Sequence, residues 1–188
     1  VWAAHCFFDI NKNFNFSYHI NIYIEKNGLK NMEKEYQAVI LVGGLGTRLR
    51  PLTETVPKPM VEIEGRPFLE YKIESLKKYG IKNFIFCVGH LGHIVESYFG
   101  DGKRFGVNIK YSYEKNELLG TAGAIKNAEH LINGTFLVAN GDTYLDVDFK
   151  KLTQFHENYL FPFTMVIADA THPKTQELVE LSGNDILK

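Results

Sequence analysis

Cysteine is scarce in these 188 residues: Cys6 and Cys87 are the only two, and neither has a companion at metal-ligand spacing. Cys87 sits inside an apolar run, where a buried free thiol is a simpler reading than a disulfide. An excess of charge is also lacking. The 21 Lys and Arg against 22 Asp and Glu leave a formal net charge of −1. That excludes the phosphate-neutralising surplus of a general nucleic-acid binder. No apolar run approaches the roughly 18 residues of a membrane-spanning helix, so neither nucleic acid nor membrane is an expected partner. No Gly-Lys-Ser/Thr triplet closes a phosphate loop, and no Ser-His-Asp or Cys-His arrangement offers a nucleophile. What is present, 188 residues with 45% hydrophobic, suffices for one compact domain, expected in the cytoplasm.

Residues 1–31 differ in texture from the rest. They are rich in Asn, Phe, Ile and Tyr, show no sustained period and lack the layout of a secretory signal. Residue types encoded by AT-rich triplets dominate. The segment reads as a non-native or disordered leader, with Met32 as the natural start and residues 32–188 as the domain. Partial alternation in "SYHINIYI" (17–24) leaves an edge strand open.

From Gln37 onward the pattern is regular. "QAVILV" (37–42), "NFIFCVG" (83–89), "VNIKYSYE" (107–114), "TFLVAN" (135–140), "FTMVIAD" (163–169) and "ELVEL" (177–181) read as strands. Between them, 67–80, 93–100, 120–131 and 148–159 read as helices. The first has Leu69, Ile73 and Leu76 on one face and ends at Gly80; the last starts from Asp148 as N-cap. Alternating strands and helices imply an α/β fold with a mostly parallel sheet covered on both faces. Ligands of such sheets bind beyond the carboxyl ends of the strands. This points to the loop after Val42, the segment after Tyr113 and the step Asn140-Gly141-Asp142.

The first of these is "LVGGLGTRLRPLTETVPKPM" (41–60), which holds three glycines, three prolines and three cations. Gly43, Gly44 and Gly46 bare the backbone, so that N–H groups can converge on an anion. Arg48 adds a forked donor suited to phosphate oxygens. Pro51, Pro57 and Pro59 stiffen the path, and Lys58 is held between two of them. Together these features suit a polyphosphate. A dinucleotide fingerprint starting at Gly44 fails, because Leu49 stands where its last glycine belongs.

This stretch resembles the signature of the sugar-1-phosphate nucleotidyltransferases, the nucleotide-sugar pyrophosphorylases: Gly-Gly-x-Gly-Thr-Arg-Leu-x-Pro-Leu-Thr followed by Pro-Lys-Pro. "LLGTAGAI" (118–125) and "VANGDTYLDVD" (138–148) are similar to further blocks of that family, most like its mannose-1-phosphate and heptose-1-phosphate guanylyltransferases. The resemblance implies a Rossmann-like three-layer α/β/α sandwich. It implies transfer of a nucleotidyl group from a nucleoside triphosphate, GTP favoured, to a sugar 1-phosphate, with release of pyrophosphate. It also implies that Leu41, Gly43, Gly44, Gly46 and Thr47 hold the nucleotide. Arg48 would neutralise the departing pyrophosphate, and Lys58 would reach the phosphates at the reacting centre.

Asp142 follows an apolar strand at the edge of the site and is the candidate ligand for Mg²⁺, which prefers carboxylate and phosphate oxygens. A plain turn aspartate is the alternative. Gly120 and Thr121 open a helix that the resemblance sets against base and ribose. Glu114 or Glu117 could accept from the Watson–Crick edge of guanine. His90 and His93 read as surface or capping residues rather than a metal pair. Members of the family continue with a Glu-Lys motif and a further aspartate, which this chain does not carry, so this polypeptide alone is expected to turn over weakly. A non-catalytic nucleotide-sensing domain of the same fold is the competing reading, and a homo-oligomer stays open.

Overall fold

The computed structural model describes residues 5–9, 35–115, 117–144, 147–158, 163–166, 181–182 and 185–186. The strands are β1 (His5–Asp9), β2 (Gln37–Leu41), β3 (Glu62–Ile63), β4 (Arg66–Pro67), β5 (Asn83–Val88), β6 (Asn108–Tyr113), β7 (Thr135–Asn140), β8 (Phe163–Met165), β9 (Leu181–Ser182) and β10 (Asp185–Ile186). The helices are α1 (Phe68–Lys77), α2 (Gly92–Phe99), α3 (Gly120–Asn127) and α4 (Phe149–Asn158).

The main sheet runs β6-β5-β2-β7-β1-β8. β6, β5, β2 and β7 are parallel, with Val39 level with Ile85 on one side and Val138 on the other. Period-2 alternation sends the β2 residues Ala38 and Ile40 to one face and Val39 to the other. The first face meets Leu69, Ile73 and Leu76 of α1, Val95 and Phe99 of α2, and Phe149 of α4. The second meets Ala124 of α3, with Ala128 and Ile132 beyond it. Both faces are therefore covered, which is why the central strands carry almost no polar residue. Phe86 anchors the first face with edge-on contacts to Phe84, Phe99 and Tyr111.

The element boundaries follow the sequence closely. α3 ends at Asn127, and the chain continues as a 3₁₀ turn over Glu129–Leu131 where the sequence predicts helix to 131. Asp148 caps α4, accepting from the Lys150 and Lys151 N–H groups at 3.0 and 3.2 Å. β3 and β4 form a hairpin whose two turn residues, Glu64 and Gly65, both have positive φ, as a type I′ turn requires. Of the strand expected over 163–169, residues 163–165 are observed. β9 pairs antiparallel with β10, and most of the strand expected over 177–181 lies outside the described residues.

One strand stands where the sequence places none. β1 lies in the stretch read as a leader, yet it pairs antiparallel with β7 over His5–Asp9 and with β8 over Cys6–Phe8. Its partners lie about 130 and about 155 residues downstream, so no local pattern reveals the pairing. The "SYHINIYI" segment lies outside the described residues. Removing residues 1–9 strips the backbone partners from two strands at once and bares two sheet edges. The melting temperature is expected to fall by several degrees, measured by thermal circular dichroism; unchanged melting would return the segment to a leader.

Candidate functional site

The parallel set is built outward from β2, with β5 and β6 on one side and β7 on the other. Loops leaving neighbouring strands at such a reversal diverge and open a crevice at the carboxyl ends. Backbone hydrogen bonds draw the surrounding segments together there. Val42 N–H donates to the Cys87 carbonyl, Gly141 N–H to that of Leu41 and Glu114 N–H to that of Val88, each at 2.9 Å.

The glycine loop is tightly built. A Cβ on Gly43 would lie 2.6 Å from Glu114 Oε1, so this glycine serves close approach. Gly46 serves conformation, with φ +62. The path then folds into three short 3₁₀ turns, Thr47–Leu49, Leu52–Glu54 and Lys58–Met60, instead of an open loop. Thr53, buried beneath them, donates its hydroxyl to the Gly46 carbonyl at 2.8 Å, and that carbonyl also accepts from Leu49 N–H at 2.9 Å. Gly44, Thr47 and Arg48 remain on the exposed side, and Leu41 and Gly43 are half-buried.

Lys58 and Asp142, 84 positions apart, meet: Nζ lies 2.6 Å from Oδ2, with the two side chains 29% and 32% exposed. Thr143 Oγ1 lies 3.3 Å from Asp142 Oδ1. Glu114 turns inward. Its Oε2 accepts from Leu119 N–H at 2.6 Å while Oε1 faces Gly43, so the carboxylate ties the end of β6 to the glycine loop. Glu117, Gly120 and Thr121 are exposed, and so are His90 and His93. The Cys87 thiol is pushed up to about 12 by burial and then by the Glu114 charge, which leaves it unreactive. Among the described residues no group of three His, Cys, Asp or Glu stands ready to hold a metal, and no helix is long and apolar enough to cross a membrane.

Two residues here have contacts that the sequence reading does not assign. Thr53 is one. The other is Lys72, which is 2% exposed and donates from Nζ to the Thr143 carbonyl at 2.7 Å. The signal for it lies in α1: position 72 is three beyond Leu69 and four before Leu76, on the apolar stripe. Burial pushes its ammonium down to about 7 against the attraction of Asp142. Between pH 7 and the ordinary lysine value of 10.5, the unfolded chain therefore holds a proton that the native state lacks, so the contribution of Lys72 to stability rises with pH, opposed from about pH 9 by the raised Cys87 thiol. Lys72→Met is expected to remove this contribution, read from denaturant midpoints at pH 7 to 9.

Glycine loop, paired Lys58 and Asp142, and switch-point crevice lie together at the carboxyl ends of a parallel α/β sheet. Residues 37–180 match the nucleotidyl transferase family, and the chain belongs to that family. The D-glycero-alpha-D-manno-heptose 1-phosphate guanylyltransferase of Campylobacter jejuni is 48% identical over 116 residues, covering 62% of this chain and 52% of the relative. The mannose-1-phosphate guanyltransferase of Saccharomyces cerevisiae is 41% identical over 141 residues, 73% of this chain and 39% of that protein. Among solved structures, HddC from Yersinia pseudotuberculosis complexed with GMP-PN superposes with a TM-score of 0.57 at 39% identity, covering 63% of this chain and 53% of that one. The chain thus spans about half the length, or less, of the relatives it matches.

Proposed function

We propose that this chain is the nucleotide-binding part of a sugar-1-phosphate nucleotidyltransferase that uses GTP. The observation that carries the reading is the meeting of Lys58 and Asp142 beside the glycine loop at the sheet's switch point. Similarity to two guanylyltransferases supports the choice of base. In the reaction, a phosphate oxygen of the sugar 1-phosphate forms a bond to the α-phosphorus. The bond from α-phosphorus to the bridging oxygen breaks, and pyrophosphate leaves with that electron pair. Such chemistry asks for positioning and charge neutralisation and needs no protein nucleophile.

The backbone from Leu41 through Thr47 holds the triphosphate, with Gly43, Gly44 and Gly46 giving it room. Arg48 meets the charge of the leaving pyrophosphate, and Lys58 moves from Asp142 to the phosphates. Gly120 and Thr121 border base and ribose. Glu114, tied to Leu119 N–H, shapes the floor beneath them. Asp142 is exposed, oxygen-bearing and next to the Thr143 hydroxyl. That donor set suits Mg²⁺, which takes one or two carboxylates and fills its shell from phosphate and water. When bound, Mg²⁺ supplies neutralisation of the triphosphate charge. The cytoplasm is the compartment that fits a triphosphate-consuming enzyme making nucleotide sugars for polysaccharide assembly.

The test is a matrix of GTP, ATP, UTP and dTTP against mannose and heptose 1-phosphates, with nucleotide sugars identified by mass spectrometry. GTP products are expected to dominate. Preference for UTP or dTTP would overturn the base, and absence of any nucleotide sugar from a chain that includes the remaining half would overturn the reaction.

A further inference from the structure

Lys72 occupies a place on α1 where packing alone calls for a hydrophobe. Leu69, Ile73 and Leu76 on the same stripe are at most 1% exposed, and Lys72 at 2% is buried as deeply. Desolvating an ammonium is costly, and lysine is among the residues least often buried. Its reach decides what the burial achieves. The four-carbon stem crosses the core side of α1 and delivers Nζ to the carbonyl of Thr143, 71 positions away. That carbonyl belongs to the residue immediately after Asp142. The turn is held from the other end as well, where Gly141 N–H donates to the Leu41 carbonyl at 2.9 Å. Asp142 therefore sits between two backbone anchors, one on β2 and one on α1, with its carboxylate presented to Lys58.

We infer that Lys72 is a positioning residue: its buried amino group fixes the Asp142–Thr143 turn, so that the Asp142 carboxylate faces the glycine loop ready for a magnesium-bound triphosphate. The inference rests on the proposed nucleotide site for its consequence, but the fixing of the turn is independent of any ligand. Lys58 and Lys72 thus divide the work. Lys58 contacts the carboxylate and is exposed enough to leave it, whereas Lys72 holds the backbone from within.

The test compares native protein with Lys72→Met, which keeps the apolar stem but removes the donor. Amide hydrogen exchange is read first without ligand. Asp142, Thr143 and Tyr144 are expected to exchange at least about tenfold faster in the variant, while amides of β2 and β5 stay unchanged. Magnesium-GTP affinity, measured by calorimetry, is expected to fall by a similar factor. Unchanged exchange at 142–144 overturns the positioning role even if GTP binds well. Faster exchange with no GTP binding by the native protein overturns the nucleotide site and leaves the role of Lys72 standing. An affinity loss with unchanged exchange at 142–144 makes Lys72 a distant charge only. Should Lys72→Met fail to fold, Lys72→Gln, whose amide ends one bond short of the Thr143 carbonyl, carries the same comparison and the same outcomes.

Discussion

Lys58→Met is expected to move two affinities in opposite directions. In the ligand-free protein Lys58 is paired with Asp142 at 2.6 Å, so a cation entering the site must displace an ammonium. Removing that ammonium releases the carboxylate and abolishes a like-charge repulsion. Mn²⁺, used as a paramagnetic stand-in for Mg²⁺, is expected to bind the free variant about fivefold more tightly, in line with the modest worth of a partly exposed ion pair. The triphosphate loses a charge-assisted contact worth about 1.5–3 kcal/mol, so its affinity should fall by about ten- to a hundredfold. Water-proton relaxation reads the first quantity and calorimetry the second. If both affinities fall together, the ammonium is not the resident counter-ion of Asp142.

Asp142→Asn carries the complementary expectation. The amide keeps the size and turn propensity of the side chain but loses the charge that draws a hard cation. The Gly141 N–H bond to Leu41 and the Lys72 bond to the Thr143 carbonyl are both backbone-directed, so the turn and the melting temperature should persist. The magnesium concentration needed for half-maximal GTP binding should rise by about an order of magnitude, a loss of about 1.4 kcal/mol. A variant that unfolds while its folded fraction keeps the native magnesium dependence would make Asp142 a turn-former.

The legibility of this protein divides by the range of the forces involved. β2, β5 and β7 are runs of apolar residues bounded by turn residues, and their type and bounds can be read within one or two positions. The Asp148 cap is equally local. The glycine loop shows in its composition, but its path through three 3₁₀ turns brings the buried Thr53 hydroxyl to the Gly46 carbonyl, a contact that composition does not announce. The approach of Lys58 to Asp142 is long-range and follows from the switch-point rule only once the strand order is known. β1 is hidden for the same reason: five residues with no period of their own take their conformation from partners on β7 and β8. Glu114 illustrates a different limit. Its place after β6 is readable, but its inward turn toward Leu119 N–H and Gly43 is set by packing.

The central claim, that the crevice at the carboxyl end of β2 receives a magnesium-bound triphosphate, is tested most directly by amide hydrogen exchange on the native chain with and without magnesium-GTP. Slowed exchange is expected for Gly43 through Arg48 and for Asp142, with no change in the β3–β4 hairpin on the far side of the loop sequence. Binding without protection in the glycine loop, or no binding of any nucleoside triphosphate at millimolar concentration, would contradict the account.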